Sequence, residues 1–259
     1  MAIAEHEEVM ADPMPVDKSF LSQKPIPVRE RLIFALDVPS TEDAKTWVGR
    51  LGESVSFYKL GLQVFMAGRY FELVDWLRDQ GKRVFVDLKF FDVPETVKSA
   101  VMQLRNRNVD FVTVHGNDNI LRAAVEQKNR LRILAVTVLT SLDRDDLAAL
   151  GFECDVETLV LSRARRALQI GCDGVISSGL EAAKLRKDLG DRFLVISPGI
   201  RPVDNQLVKD DQKRVVDLEE AFLNGADYVV VGRPIRNAPD PQLKAEEYQK
   251  RMAALFVPG

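Results

Sequence analysis

The stretch Arg83-Val-Phe-Val-Asp-Leu-Lys-Phe-Phe-Asp92 joins an apolar run to two carboxylates and one ammonium group. Its β-branched and aromatic residues favour a β-strand. Charged side chains at the end of a buried strand are costly to desolvate unless they pair with one another or face a cleft. The stretch by itself fits either a salt-bridged strand end or a functional site, and the rest of the chain distinguishes the two.

The same kind of β-like run recurs along the chain, and amphipathic segments separate the runs. The eight runs are Leu32–Leu36, Val55–Tyr58, Val84–Val86, Phe111–Val114, Ile133–Val138, Gly174–Ile176, Phe193–Ile196 and Tyr228–Val231. Strands that alternate with helices indicate parallel strands joined by right-handed crossovers. Eight such units over about 230 residues favour a closed barrel over an open sheet. We therefore predict an α/β fold, a single-domain (β/α)8 TIM barrel over residues 30–259.

Helix signals occupy the gaps between the runs. Ser40-Thr-Glu-Asp43 resembles a helix start, with a hydroxyl cap followed by acidic residues. Residues 62–80 carry apolar side chains at helical spacing, which predicts one helix ending at Gly81. The connection between Thr140 and Ser162 is long for this fold and predicts a short extra helix over the barrel mouth.

Composition narrows the class of protein. The 259 residues are 46% hydrophobic and 29% charged with a net charge of −3, which is typical of a globular protein and gives no basic excess for nucleic acid. We find no apolar stretch long enough to span a membrane and no signal peptide pattern at the start. Cys154 and Cys172 lack metal-ligand spacing, which favours reduced thiols in the cytoplasm. Residues 1–29 are acidic and contain prolines, and they predict a mobile leader or loosely docked arm before the barrel.

Polar residues follow every predicted strand. They are Asp37, Lys59, Asp87 and Lys89, His115, Thr140 and Ser141, Ser177 and Ser178, Arg201, and Arg233. In a (β/α)8 barrel the C-terminal ends of the strands meet at one face, where catalytic residues from several strands converge. The pattern therefore indicates a site at that face, with His115 interpreted only as a hydrogen-bonding residue.

The last two strand ends predict a phosphate site. Pro198-Gly-Ile-Arg201 and Gly232-Arg-Pro234 supply glycines for close approach of the backbone and arginines for charge-assisted contacts. Loops after the seventh and eighth strands of such barrels often bind phosphate. A phosphorylated small molecule is the predicted class of ligand.

Four charged residues from three consecutive strands would then face the rest of that ligand. Asp37, Lys59, Asp87 and Lys89 alternate in sign, and an opposite neighbour favours the charged form of each. Lys89 is expected to be a cation and a proton donor rather than a Schiff-base nucleophile, which needs a depressed pKa. Metal binding by the two carboxylates is the weaker alternative, because the lysines would repel a divalent cation.

Six segments resemble the orotidine 5′-phosphate decarboxylase family in its bacterial form. They are Ala35–Asp37, Tyr58–Gly61, Asp87–Thr96, Val136–Ser141, Pro198–Pro202 and Val231–Pro234. The spacing Asp-x-Lys-x-x-Asp-Val-Pro-x-Thr is specific when the other segments occur in order. Phe91 departs from the pattern, since many relatives have histidine there. The resemblance implies conversion of orotidine 5′-phosphate to UMP and CO2 in pyrimidine biosynthesis, with no metal and no organic cofactor.

The resemblance also implies roles for individual residues. Lys89 would protonate C6 as CO2 leaves, with Asp87 beside the substrate carboxylate. Asp37 and Lys59 would bind the ribose hydroxyls and order the charges. Asp92 and Thr96 would reach the site of a second subunit, which makes a homodimer with shared sites the expected assembly. The remaining substrate-binding residues are Thr140 and Ser141 at the pyrimidine edge, and Pro198, Arg201, Gln212, Gly232 and Arg233 around the phosphate.

Two other functions stay open at this point. A metal-dependent sugar-phosphate decarboxylase or aldolase-like synthase shares the Asp-x-Lys-x-x-Asp pattern, but it needs further carboxylates near the second strand, and residues 57–61 offer none. A catalytically silent nucleotide-binding barrel is the second alternative. It should have lost a member of the charged cluster, and all four members are present.

Overall fold

Eight parallel strands form a closed barrel in a computed structural model that describes residues 17–201 and 214–256. Each strand pairs with the next along the chain, and the last pairs with the first. The strands are β1 (Leu32–Ala35), β2 (Phe57–Leu60), β3 (Arg83–Phe90), β4 (Phe111–Val114), β5 (Arg132–Val136), β6 (Gly174–Ile176), β7 (Leu194–Ser197) and β8 (Tyr228–Val231). The predicted (β/α)8 barrel is confirmed.

Helices surround the barrel in the described residues. They are α1 (Thr41–Leu51), α2 (Leu62–Met66), α3 (Tyr70–Asp79), α4 (Pro94–Leu104), α5 (Asp118–Glu126), α6 (Arg144–Ala149), α7 (Val156–Ile170), α8 (Ala182–Leu189), α9 (Leu218–Leu223), α10 (Arg233–Arg236) and α11 (Pro241–Phe256). Ser40 caps α1 as predicted, because its hydroxyl accepts the Asp43 N–H at 2.9 Å. The short α6 lies in the long connection where an extra helix was expected. No described helix has a segment both long and apolar enough to cross a bilayer.

The prediction of one helix over residues 62–80 is wrong. The chain forms α2 and α3 instead, and the break falls at Gly68 and Arg69, whose φ angles are 82° and 54°. Left-handed backbone cannot continue a right-handed helix. The apolar side chains keep helical spacing on both sides of the break, so periodicity alone could not reveal it.

Two apolar cores follow from the alternation of side chains along each strand. One core packs the outer face of the strands against the helices. The other lies inside the barrel, where Phe57, Phe85, Phe111 and Tyr228 fill the end at which the strands begin. Their ring centroids lie 5.1 to 5.9 Å apart. These rings therefore fill the barrel interior at that end, and the cavity inside the barrel opens at the opposite end.

The same alternation places charge at the open end. Inside the barrel, Ala35, Phe57 and Phe85 face the axis, so the next inward positions are Asp37, Lys59 and Asp87. The register supports their proximity, because Ala35 pairs with Lys59 and Lys59 pairs with Phe85.

The segment before β1 contacts the closed end of the barrel. The Ser22 hydroxyl donates to Asp227 Oδ1 at 2.5 Å, and Lys24 Nζ lies 3.0 Å from the same oxygen. Asp227 is fully buried and immediately precedes β8. Residues 1–16 lie outside the described residues, and the boundary between leader and barrel at residue 30 stays a prediction.

Candidate active site

A cavity of about 460 Å³ opens at the C-terminal ends of the strands. It collects side chains from six of the predicted strand ends. The predicted site residues that line it are Asp37, Lys59, Asp87, Lys89, Thr140, Ser141, Pro198, Arg201, Gly232 and Arg233. Residues spread over nearly 200 positions of sequence thus meet in one cavity, as expected for this fold.

The four charged side chains form a continuous row along one wall. Lys59 Nζ lies 3.3 Å from Asp37 Oδ1 and 3.3 Å from Asp87 Oδ2. Lys89 Nζ donates to Asp87 Oδ1 at 2.9 Å. The side chains of Lys59 and Asp87 are only 12% exposed, whereas those at the two ends of the row are more open to the cavity. The predicted alternation of sign is present in the structure.

Pairing controls the protonation of the inner two groups. Burial alone would raise the pKa of Asp87, but the ammonium groups of Lys59 and Lys89, and hydrogen bonds from Lys89 and Thr113, outweigh it and hold that pKa below its ordinary value. Burial would lower the pKa of Lys59, yet the two adjacent carboxylates raise it. The cavity therefore holds a buried carboxylate and a buried ammonium that are both ionised at neutral pH.

The lowered pKa of Asp87 predicts how stability depends on pH. The folded protein binds a proton at Asp87 less readily than the unfolded chain does, so the stabilisation is complete above the unfolded-state pKa and is lost as pH falls through the folded-state pKa. We expect the free energy of unfolding of the wild type to fall relative to that of Asp87→Asn as pH falls from about 7 to about 3. Urea denaturation at each pH measures this difference. A difference that stays constant with pH would contradict the lowered pKa.

Gly61 leaves the space that the charged row occupies. A Cβ atom built at Gly61 would lie 3.1 Å from Asp37 Oδ1 and 3.2 Å from Lys59 Nζ. Both distances are shorter than ordinary van der Waals contacts, so a side chain there would require Asp37 and Lys59 to shift by a few tenths of an ångström. Gly61, two residues after Lys59, thus leaves room for the Asp37–Lys59 ion pair as observed.

Two arginines that follow the last two strands line the same cavity. Arg201 follows β7 and Arg233 begins α10 directly after β8, and both line the cavity wall. The Arg201 N–H donates to the Val216 carbonyl at 3.0 Å, which fixes the start of the loop. Gly199 has a φ of 79°, a conformation that favours glycine. Both arginines therefore lie at the cavity wall, at the two strand ends where the sequence predicts a phosphate site.

Two predicted residues lie outside this cavity, and a third is not among the described residues. Asp92 and Thr96 are exposed and are not part of the lining of this cavity, and the Asp92 carboxylate accepts the Val93 N–H at 2.6 Å. Gln212 lies outside the described residues. One barrel by itself therefore does not bring Asp92 and Thr96 to the charged row.

Sequence reasoning missed two residues of the site. Thr113 contacts both Asp87 and Lys89, and Arg236 lines the cavity and donates to the Asp37 carbonyl. Thr113 has a signal in the sequence, since it is a polar residue at an inward position of an apolar strand. Arg236 has none, because its contact joins residues 199 positions apart.

The sequence of this chain is similar to those of known proteins. A family model described as "Orotidine 5′-phosphate decarboxylase / HUMPS family" matches residues 30–248. A protein of Methylococcus capsulatus named orotidine 5′-phosphate decarboxylase is 62% identical over 241 residues, which are 93% of this chain and 99% of that protein. This chain belongs to the orotidine 5′-phosphate decarboxylase / HUMPS family.

Other members of the orotidine 5′-phosphate decarboxylase / HUMPS family extend the likeness. A protein of the same name from Xanthomonas axonopodis pv. citri is 48% identical over 92% of this chain and 98% of its own length. The crystal structure of orotidine 5′-phosphate decarboxylase from Lactobacillus acidophilus superposes with a TM-score of 0.76 at 32% identity, covering 86% of this chain and 99% of that one. Every described residue of the cavity falls inside the range that the family model matches.

Proposed function

We propose that this protein is an orotidine 5′-phosphate decarboxylase that forms UMP and CO2 in pyrimidine biosynthesis. The observation that carries the proposal is a single cavity lined by an alternating row of four charges and by two arginines. Two relatives that this chain matches over nearly their whole length are named orotidine 5′-phosphate decarboxylase, and these names support the same reaction.

The charged row suits the chemistry at C6 of the pyrimidine. When the bond between C6 and the carboxylate breaks, its electron pair stays on C6, and no adjacent carbonyl delocalises it. The Lys89 ammonium would stabilise that developing charge and then transfer a proton from Nζ to C6. Asp87 would lie beside the substrate carboxylate, where repulsion is relieved as CO2 leaves. Lys59 and Asp37 would hold these two groups in place and bind the ribose hydroxyls.

The phosphate and the base would occupy the remaining walls. Arg201 and Arg233 would bind the phosphate with Pro198 and Gly232, and Gln212 remains a predicted member of this set. Thr140 and Ser141 would bind the pyrimidine edge. The phosphate is remote from C6, so its binding energy can be used to order the site around the reacting carbon. No step in this proposal needs a metal or an organic cofactor.

The proposal includes a homodimer in which each subunit contributes to the other's site. Asp92 and Thr96 are exposed on their own barrel. Phe91 and Val93, which flank Asp92, are 67% and 63% exposed. Exposed apolar patches, with aromatic side chains among them, are typical of protein–protein interfaces. We place Asp92 and Thr96 at the ribose side of the partner subunit's cavity.

A cytoplasmic location is part of the same proposal. Cys154 and Cys172 are both free thiols, and burial raises the pKa of Cys172 to about 12. Free thiols are typical of proteins in reducing compartments. Fractionation of cells that express the protein would test this location.

An assay in the presence of a chelator tests the reaction. We expect purified protein treated with EDTA to convert orotidine 5′-phosphate to UMP at an undiminished rate, measured as product formed and CO2 released. In the described residues no three His, Cys, Asp or Glu side chains group as metal ligands. Activity that disappears with EDTA and returns with Mg²⁺ would contradict the cofactor-free proposal. Absence of any turnover with orotidine 5′-phosphate would contradict the proposed function itself.

A further inference from the structure

The end of β3 departs from regular pairing where the charged row is built. Val86 pairs with Val112 of β4, but the next paired position is Phe90 with Val114. Three residues of β3, Asp87 to Lys89, therefore oppose the single residue Thr113. A bulge of this kind re-aims side chains at a strand end.

The bulge places Lys89 in an unusual backbone conformation. Its φ is 48°, in the left-handed region that residues other than glycine rarely adopt. Such a conformation persists only where the surrounding structure holds it, and it is found preferentially at functional sites. The Lys89 N–H also cannot reach the regular ladder, since β4 has no residue in step with it.

Thr113 supplies the missing partner. Its side chain is fully buried, and its Oγ1 accepts the Lys89 N–H at 2.9 Å. The same oxygen lies 2.9 Å from Asp87 Oδ1. An ionised carboxylate only accepts hydrogen bonds, so the Thr113 hydroxyl proton points to Asp87 and an oxygen lone pair remains for the amide. One hydroxyl thus connects the main chain of Lys89 to the carboxylate that holds the Lys89 ammonium.

We propose that Thr113 is a positioning residue that fixes the Asp87–Lys89 pair for proton transfer. This inference rests on the proposed decarboxylase activity. The two hydrogen bonds of Thr113 close a ring through the Lys89 backbone, the Asp87 carboxylate and the Lys89 ammonium. The ring maintains the left-handed bulge and fixes where Nζ lies relative to the reacting carbon. Small displacements of a proton donor lower the rate of the chemical step more than they weaken the binding of a remote phosphate.

Isosteric removal of the hydroxyl tests the proposal. We expect Thr113→Val to lower kcat roughly 10- to 100-fold, the effect of losing a hydrogen bond to a charged group, while KM changes little. Thr113→Ser keeps the hydroxyl and is expected to retain kcat close to wild type. Thr41→Val is the matched control, because Thr41 is also buried and donates one hydrogen bond, to the Gly68 carbonyl. That variant should keep the wild-type kcat.

The results separate this inference from the proposed function. If the wild type is active and folded Thr113→Val has the same kcat, the role of Thr113 is overturned and the proposed function stands. Equal losses in Thr113→Ser and Thr113→Val would also overturn it, since packing rather than the hydroxyl would then be responsible. If Thr113→Val does not fold, Thr113→Cys replaces it, and the proposal requires a lower kcat for cysteine than for serine because a thiol is a weak hydrogen-bonding group. An inactive wild type would overturn the decarboxylase proposal and, with it, this inference.

Discussion

Lys89→Ala is expected to lower kcat for orotidine 5′-phosphate by roughly five orders of magnitude or more, since general acid catalysis and electrostatic stabilisation are lost together. Both effects act on charge that develops only in the transition state, so KM should change far less than kcat. The fold should survive, because the Lys89 side chain faces the cavity rather than either apolar core. Rapid-quench or steady-state assays, with circular dichroism for the fold, measure both expectations.

A surface lysine provides the control for Lys89. Lys184 lies on α8 and pairs with Asp188 one turn later, away from the cavity. Lys184→Ala should keep the wild-type rate, because exposed pairs of this kind contribute little. A folded Lys89→Ala protein that retains kcat within about tenfold of wild type would show that another group protonates C6.

Mixing Asp87→Ala with Asp92→Ala subunits is expected to restore activity that neither homodimer has. In the mixed dimer one site has lost both carboxylates, and the other combines an intact Asp87 with Asp92 of the partner subunit. Random reassociation makes about half of the dimers mixed, each with one intact site of two, so about a quarter of the wild-type activity should return. Tagged subunits purified in tandem, followed by the decarboxylation assay, measure the recovery.

A second mixture shows whether the recovery reflects shared sites. Asp87 and Lys89 lie 2.9 Å apart in the same cavity, so a dimer of Asp87→Ala and Lys89→Ala subunits has one defect in each site. This mixture should stay inactive. Verified Asp87→Ala and Asp92→Ala heterodimers without recovery would contradict the proposal that Asp92 acts across the interface.

The sequence predicts most of the barrel because the apolar residues of each strand indicate that the strand is buried. Apolar residues that face the barrel axis and apolar residues that face the helices both require burial. Three of the predicted strands, β4, β6 and β8, match the observed bounds residue for residue. The strand predicted over Ile133–Val138 is too long at its end. It stops at Val136, and the Thr137 hydroxyl donates to the Ile176 carbonyl instead. Apolar residues continue past that point because they line the cavity rather than the sheet.

The charged row was predictable for the same local reason. Alternation with a period of two puts Asp37, Lys59 and Asp87 on the inward side of β1, β2 and β3, and parallel strands bring their C-terminal ends to one face. The helix break at Gly68 was not predictable from periodicity, which reports which face a side chain occupies and not the backbone φ.

The stretch from Arg83 to Asp92 by itself predicts a strand with charged residues at its C-terminal end. Together with the other strand ends it predicts a barrel with charged residues at its open end. Only the tertiary structure decided how that charge is held. The N–H of the left-handed Lys89 donates to Thr113, 24 residues away on the neighbouring strand, at the point where β3 and β4 pair out of step. The tertiary structure also leaves Asp92 exposed and outside the lining of its own cavity, which no local sequence pattern indicates. Local burial fixes periodicity, whereas the register between strands fixes which polar groups meet.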